Sequence, residues 1–290
     1  MPIEPMGPVV VGVDGSPASL AAVELAAEEA VGRVAPLVVV HARGEHARFG
    51  AAEQPGQLDA ARRVLAVAAG RARAEHPGLS VTEKLVPGDP AEALLARSRD
   101  ACLLVVGYRG RHALGGAPLG SVAIRVIGGA DVPIIVHRPL DTSIPVHQPR
   151  PVLVGVTAAG SDAVVEFGFA EAALRGAPLL AMLVWPPPGG TGPIGDAAAG
   201  RQEADQVLRE ALAGWADKYP DVDVCRLVRR GLDVPVALTA TSHSAQLVVV
   251  GSAHRADLAR RTASSVSQVL VHRAGCPVAV IPVHSVVPVR

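Results

Sequence analysis

Short apolar runs alternate with alanine-rich segments along the chain. The first run is Val9–Val13, and the alanine-rich segment Pro17–Val31 follows it. Runs of β-branched residues favour strands, and longer alanine-rich segments favour helices. The remaining elements predicted in the first half are strands at Leu37–His41, Ser80–Val86, Leu103–Val106 and Ile134–His137 and helices at Gln57–Glu75, Pro90–Ser98 and Ser121–Gly128. This alternation predicts a parallel sheet covered by helices on both faces.

The pattern occurs twice. VVVGVDGS at Val9–Ser16 returns as PVLVGVTAAGS at Pro151–Ser161, and the other repeated strands keep an offset of 142 to 144 residues. The helices expected in the second half lie near Asp162–Arg175, Ala197–Lys218, Val234–Ser242 and Ser265–His272. We therefore predict an α/β chain of two tandem doubly wound, Rossmann-like domains, each with a five-stranded parallel sheet and about four helices. The domains are expected at 1–140 and 151–290, with a proline-containing linker at 141–150.

A glycine-rich window follows the fourth strand and reads GYRGRHALGGAPLGS from Gly107 to Ser121. Two glycines three apart are followed, after nine residues, by Gly120 and a serine. A loop between a strand end and a helix N-terminus, with glycines that let backbone amides approach, suits a phosphate chain. Arg109, Arg111 and His112 would add positive charge to it.

Asp14 directly follows the first strand and is expected beside this loop, because the carboxyl ends of parallel strands share one edge of the sheet. Its carboxylate could accept hydrogen bonds from ribose hydroxyls or an adenine amino group, or face a metal carried by the phosphates. Simpler interpretations stay open. Asp14 could begin a turn or cap the first helix, Ser121 could be an ordinary N-cap, and the loop cations could be solvated. Gly107 and Gly110 could serve only a strand-to-helix turn.

These motifs resemble the universal stress protein family, whose nucleotide-binding members carry GxxG, nine residues, and then glycine followed by serine or threonine after the fourth strand. The likeness covers Gly7–His284 as two copies and includes VGVDGSP, LVVVHA, LLVVGYRG, GSVAIRV and VPIIVH. The resemblance implies ATP as the ligand, with Mg²⁺ carried by the nucleotide as a candidate companion at Asp14. The candidate ATP contacts are Gly12, Asp14, Ala42 through its backbone, Gly107, Tyr108, Arg109, Gly110, Arg111, Gly120, Ser121 and Val122.

The second copy of the glycine window, GSAHRADLARRTASS from Gly251, departs from this pattern. Thr157 stands where Asp14 stands, and His254 and Ser264 replace two glycines. Side chains there would hinder backbone approach to phosphate, so we predict that the second half binds ATP poorly or not at all. The alternative is a substitute cation cluster for another anion, formed by His254, Arg255, Arg260 and Arg261.

Composition narrows the classes of function. The 27 basic and 27 acidic side chains cancel, which argues against nucleic acid as a partner. No apolar run approaches the length of about 20 residues that spans a membrane, and the N-terminal MPIEPMGP lacks the pattern of a signal peptide. Three cysteines, Cys102, Cys225 and Cys276, show no CxxC spacing. We expect a cytoplasmic protein.

No catalytic motif is evident, and no dedicated metal site is expected, so binding is favoured over turnover. The leading hypothesis is an ATP-binding stress-response or regulatory protein, in which nucleotide bound by the first domain acts as a conformational or assembly signal. The alternatives are a nucleotide-free dimerisation scaffold and a slow ATPase at the same loop without an identifiable general base. The resemblance further implies an intrachain pseudo-dimer through Ile134–His137 and Val278–Ile281, and homodimers are an additional expectation.

Overall fold

A computed structural model of the chain describes residues 7–43, 56–110, 120–143, 149–157, 161–185, 195–231, 233–252 and 266–282. The chain divides into two compact units, Met1–Arg138 and Pro139–Arg290.

The first unit alternates strands with helices as the apolar pattern predicts. Its elements are β1 (Val9–Gly12), α1 (Pro17–Gly32), β2 (Leu37–Arg43), α2 (Gln57–Glu75), β3 (Val81–Pro87), α3 (Pro90–Ser98), β4 (Leu103–Gly107), α4 (Ser121–Ile127) and β5 (Ile134–His137). The five strands are parallel in the order β3-β2-β1-β4-β5. Helix α1 packs with α2 and α3 packs with α4, so each face of the sheet carries a pair of helices.

The second unit repeats this architecture. Its elements are β6 (Val152–Gly155), α5 (Asp162–Leu174), β7 (Leu179–Trp185), α6 (Gly195–Ala211), α7 (Trp215–Lys218), β8 (Val224–Arg230), α8 (Val234–Ser242), β9 (Leu247–Ser252), α9 (Val266–Arg273) and β10 (Val278–Pro282). The five strands are parallel in the order β10-β9-β6-β7-β8. The predicted fold class, two tandem doubly wound α/β domains with five-stranded parallel sheets, is confirmed.

One predicted helix is wrong. The sequence predicted a single helix over Ala197–Lys218, whereas the structure has α6 and α7 with Gly214 between them. Gly214 has a φ of 79°, in the left-handed region that glycine enters without steric cost. The described part of the second unit therefore contains five helices instead of about four.

The first helix of each unit carries a buried ion pair near its C-terminus. In α1, the Glu29 side chain is 1% exposed and pairs with Arg33 one turn later. In α5, the fully buried Glu171 pairs with Arg175 over 3.0 Å. The two pairs occupy matching positions of the internal repeat.

The turn that follows each of these helices is left-handed. Gly176 has a φ of 56°, and its counterpart Val34 has a φ of 53°. Val34 is 95% exposed. A β-branched residue in this region of φ is strained because its Cβ approaches the backbone.

Three aromatic side chains form a cluster in the second unit. The rings of Phe169 and Trp215 stack with centroids 6.1 Å apart, and the Phe169 and Tyr219 rings are 5.7 Å apart. Phe169 is fully buried. Lys218 lies over the Trp215 ring at 4.9 Å and pairs with Glu166 at 2.8 Å. The cluster fixes α7 against α5.

Residues of the segment predicted as a linker lie within the second compact unit and bond to its other residues. Asp141 accepts a bond from His243 Nδ1 at 2.6 Å, and its amide donates to the Gly275 carbonyl at 2.7 Å. The buried Arg150 donates to the carbonyls of Asp141 and His243 at 2.7 and 3.3 Å. These bonds hold both described ends of the 141–150 segment.

Candidate functional site

The site lies where the first sheet changes direction. β1 pairs with β2 on one side and with β4 on the other, and Val11 is level with Val105. Chain connections leave β1 and β4 on opposite faces of the sheet, which opens a crevice at the carboxyl ends of these strands. The predicted residues Asp14 and Gly107–Gly110 follow these two strand ends.

Asp14 begins the turn between β1 and α1. Its Oδ1 accepts a hydrogen bond from the Ser16 amide at 2.9 Å, and its own amide donates to Ser19 Oγ at 3.3 Å. Gly15, between them, has a φ of 80°. Asp14 thus forms a turn through its Oδ1 atom, which is one of the roles that its position in DGSP allowed.

The other carboxylate oxygen of Asp14 faces the glycine window. A Cβ placed on Gly110 would lie 2.5 Å from Asp14 Oδ2, closer than side-chain carbons approach oxygen. The backbone of Gly110 therefore runs directly beside the carboxylate. The structure brings together the two features that the sequence placed at neighbouring strand ends.

The three described glycines of the window, Gly107, Gly110 and Gly120, differ in what they contact. A Cβ on Gly107 would lie 2.9 Å from the Ala18 carbonyl oxygen, so this glycine lets β4 approach α1. Among the described residues, a Cβ on Gly120 would meet nothing closer than 3.7 Å, and the backbone of Gly120 is extended at φ −71° and ψ 142°. Gly107 has a packing role, whereas neither the backbone conformation nor the contacts with the described residues require glycine at position 120.

The two described ends of the glycine window are tied to each other. The Gly120 amide donates to the Tyr108 carbonyl at 2.9 Å, and the Tyr108 amide donates to the His137 carbonyl at 3.0 Å. The Tyr108 ring has two guanidinium groups near it, Arg109 at 5.2 Å and Arg138 at 4.9 Å from its centroid. Cations at this distance are attracted to the ring. Arg111 and His112 lie outside the described residues.

The remaining candidate contact residues are Gly12, Ala42, Ser121 and Val122. Gly12 ends β1, where a Cβ would lie 2.7 Å from Leu94 Cδ1, so its described role is packing. Ala42 is half-buried near the end of β2, level with Val86 of β3. Ser121 is exposed at the first position of α4, and Val122 next to it is half-buried. Gly120, and not Ser121, occupies the N-cap position.

His137 lies beside the window at the end of β5, level with Gly107. Burial lowers the pKa of the His137 imidazole, and the smaller opposing effect comes from the charge of Glu24. The side chain is therefore neutral at neutral pH. Its Nδ1 is buried without a hydrogen-bond partner among the described residues.

An ion pair that sequence reasoning missed connects the helices on one face of the first unit. Asp89 Oδ1 caps α3 by accepting bonds from the Ala91 and Glu92 amides at 2.9 and 3.0 Å. Its Oδ2 binds Arg125 of α4 at 2.6 Å. Burial raises the pKa of Asp89, but the Glu92 amide and the Arg125 guanidinium outweigh it and lower the pKa below its ordinary value. The pair holds α4, the helix that the glycine window enters.

Ser19 is a second residue that sequence reasoning missed. Besides accepting from the Asp14 amide, its hydroxyl donates to the Ser16 carbonyl at 2.9 Å. Ser161 does the same in the second unit, where it accepts from the Thr157 amide and donates to the Thr157 carbonyl, each over 2.9 Å. The repeat in the sequence aligned Ser161 with Ser16, so the similarity of Ser161 to Ser19 is visible only in the hydrogen bonds.

In the second unit, Thr157 stands where the first unit has Asp14. Thr157 Oγ1 lies 3.1 Å from Ser161 Oγ, so a neutral hydroxyl occupies the position of the Asp14 carboxylate. His254, Ser264 and the arginines of the alternative cation cluster lie outside the described residues.

A sequence model of the universal stress protein family matches the chain twice, over residues 6–138 and 149–282. The chain belongs to the universal stress protein family. A universal stress protein of Mycobacterium tuberculosis is 39% identical over 285 residues, covering 94% of this chain and 96% of the relative. A second one from that organism is 35% identical over 286 residues, covering 94% and 95%. These relatives also have the tandem organisation of this universal stress protein.

Solved structures share the fold. A universal stress protein from Archaeoglobus fulgidus superposes with a TM-score of 0.69 at 18% identity, covering 97% of this chain and 98% of that one. Single-domain members of the family have been solved in complex with cAMP and with dAMP, at TM-scores of 0.37 over 46% and 44% of this chain. Those nucleotides are ligands of those proteins. In the described part of this universal stress protein, no helix has the length and apolarity needed to cross a membrane.

Proposed function

We propose that this universal stress protein binds ATP in its first unit, in the crevice between β1 and β4. The observation that carries the proposal is the contact between Gly110 and Asp14, which places a carboxylate directly beside the glycine backbone. Asp14 Oδ2 would accept a hydrogen bond from a ribose hydroxyl or the adenine amino group, and the amides of the glycine window would bind the phosphates. A magnesium ion, if carried by the phosphates, would face the same carboxylate.

The glycine window supplies a second argument. Gly120 has a backbone conformation open to any residue, and a Cβ there has room among the described residues, so neither strain nor packing against those residues explains the glycine. Close approach of phosphate oxygens to the backbone does explain it. Arg109, beside the Tyr108 ring, would add a guanidinium on the phosphate side.

Nucleotide occupancy would order the glycine window and serve as a conformational or assembly signal to a regulatory partner. We place this function in the cytoplasm, since all three cysteines, Cys102, Cys225 and Cys276, are free thiols. Sedimentation of the protein with and without ATP tests whether nucleotide changes homodimer formation.

Calorimetric titration of the full chain with ATP tests the site itself. We expect one nucleotide per chain, because Thr157 offers a hydroxyl where the first unit has a carboxylate. Asp14→Asn keeps an acceptor for the Ser16 amide but removes the charge, and we expect it to weaken ATP binding about tenfold or more. Asp162→Asn, the same charge change at the start of α5, is the matched control and should bind like wild type.

Two outcomes would defeat the proposal. Wild-type protein that gives no heat at millimolar ATP has no nucleotide site of this kind. Equal weakening by Asp14→Asn and Asp162→Asn would show an effect of net charge alone. Mass spectrometry of nucleotide that copurifies with wild type and Asp14→Asn identifies the ligand independently.

A further inference from the structure

A separate cavity lies in the second unit, between α6 and the outer strand β8. Its volume is about 320 Å³, and its lining is formed by Arg201, Gln202, Asp205, Arg209, Arg226 and Val228. We call this surface the arginine groove. Its volume is at the lower end of the range of about 300 to 1,000 Å³ that small-molecule sites occupy.

The spacing of these residues explains why their side chains line one groove. Arg201, Asp205 and Arg209 follow one another at intervals of four residues along α6, and so lie on one face of the helix. Arg226 and Val228 alternate along β8, and so lie on one face of the strand. The arginine groove is thus built from one helix face and one strand face, and Asp205 leaves it a net charge of two positive units.

Asp205 orients Arg209 and Arg226 through their Nε atoms and not through their terminal nitrogens. Its Oδ2 lies 3.2 Å from Arg209 Nε, and its Oδ1 lies 3.9 Å from Arg226 Nε. Both arginine side chains are about half exposed, at 50% and 49%. The terminal nitrogens of Arg209 and Arg226, and the whole guanidinium of Arg201, have no hydrogen-bond or ion-pair partner within the described ranges. Each terminal nitrogen carries donors that suit an oxyanion.

The first unit shows that the fold does not require a positive charge at the position of Arg226. Arg226 of β8 is level with Ala181 of β7, and the matching pair in the first unit is Glu83 of β3 with Val39 of β2. Glu83 binds Arg73 at 2.9 Å. The same position of the repeated scaffold therefore carries a carboxylate in one unit and a guanidinium in the other.

We propose that the arginine groove binds a linear phosphate anion with at least three linked phosphoryl groups. Guanidinium groups bind phosphate oxygens through paired hydrogen bonds. Arg201 and Arg209 are separated by about 12 Å along α6, since a helix rises about 1.5 Å per residue. A single phosphate cannot engage guanidinium groups spread over this length, whereas a chain of three phosphoryl groups offers one to each of Arg201, Arg209 and Arg226.

Calorimetric titration of the full chain with inorganic tripolyphosphate tests the proposal, and orthophosphate serves as the short comparison ligand. We expect tripolyphosphate to bind at least about tenfold more tightly than orthophosphate. Arg226→Glu, which introduces the residue found in the first unit, should weaken tripolyphosphate binding about tenfold or more, and Arg209→Gln should act in the same direction. Arg229→Gln is the charge-matched control for Arg209→Gln, because Arg229 is exposed on the same strand as Arg226 but alternates to its other face. It should bind like wild type.

The glycine window of the first unit could also attract tripolyphosphate, so the titration is repeated with Gly110→Val. Unchanged affinity in Gly110→Val together with the loss in Arg226→Glu assigns the phosphate chain to the arginine groove. The proposal is overturned if tripolyphosphate does not bind, if orthophosphate binds equally well, or if Arg229→Gln loses as much affinity as Arg226→Glu. It is also overturned if Gly110→Val abolishes binding while Arg226→Glu retains it. Thermal melts of each variant establish that the substituted chains are folded.

Discussion

A Cβ placed on Gly110 would lie 2.5 Å from Oδ2 of Asp14. The carboxylate has little freedom to withdraw, because its Oδ1 is bonded to the Ser16 amide. We therefore predict that Gly110→Ala displaces Asp14, costs about 1 to 3 kcal/mol in the free energy of unfolding, and weakens ATP binding. Urea unfolding and ATP titration of the variant measure the two effects.

Gly120→Ala should lower the affinity for ATP without changing the stability of the fold. Among the described residues, the nearest atoms to a Cβ at position 120 are 3.7 Å away, so we expect the free energy of unfolding to stay within about 0.5 kcal/mol of wild type. ATP affinity should nevertheless fall, because the methyl group occupies space that a phosphate oxygen needs. Retention of full affinity in this variant would contradict a role of Gly120 in phosphate approach.

The left-handed turns after α1 and α5 give a prediction for stability. Val34 has a φ of 53° and is 95% exposed, so Val34→Gly relieves backbone strain and loses little buried area. We expect it to raise the free energy of unfolding by about 1 kcal/mol. The reverse change at the matching position, Gly176→Val, should lower it by a similar amount, and denaturant unfolding of both variants measures the pair. Destabilisation by Val34→Gly would contradict this prediction, because the valine side chain would then contribute more to stability than the strained backbone costs.

The parallel sheets and the repeat were predictable because most strands are short apolar runs bounded by glycine, proline or charge. The full strand order was not predicted, because apolar runs do not encode which strands pair. The break between α6 and α7 was not predicted either, because helix-forming residues continue on both sides of Gly214 and only the φ of 79° marks the turn. At the site, Asp14 and the glycine window were found because strand ends concentrate at one edge of a parallel sheet. The pairing of Asp89 with Arg125 depends on how α3 and α4 pack, which no local pattern encodes. Arg201 and Arg226 line one groove because α6 packs against β8, and no local pattern encodes that packing either.

The buried ion pair in α5 also gives a prediction for stability. Glu171 is fully buried against Arg175, and Glu171→Ala would leave the guanidinium, only 15% exposed, without its carboxylate. We expect a loss of about 3 kcal/mol in the free energy of unfolding. Glu166→Ala is the control, since Glu166 and Lys218 are each 53% exposed, and its cost should stay below about 1 kcal/mol. Similar melting temperatures for the two variants would contradict the difference.

The bond between Asp141 and His243 predicts a pH dependence. Hydrogen bonds from the Ser143 side chain and then from His243 lower the pKa of Asp141 to about 2. Because the folded protein holds this carboxylate ionised, its stabilising effect is complete above the ordinary value of 3.8 and is lost as the pH falls towards about 2. Carboxyl NMR should show Asp141 titrating near pH 2, and His243→Asn should raise the midpoint. A wild-type midpoint near 3.8 would refute the prediction.

The aromatic cluster has a practical consequence for following the unfolding of this universal stress protein. Both tryptophans of the chain, Trp185 and Trp215, belong to the second unit. Emission excited selectively at the indole therefore monitors one half of the molecule, whereas far-ultraviolet circular dichroism sums both halves. Coincident transitions by the two methods would mean that the duplicated domains unfold as one cooperative system, and separate transitions would give each domain its own stability.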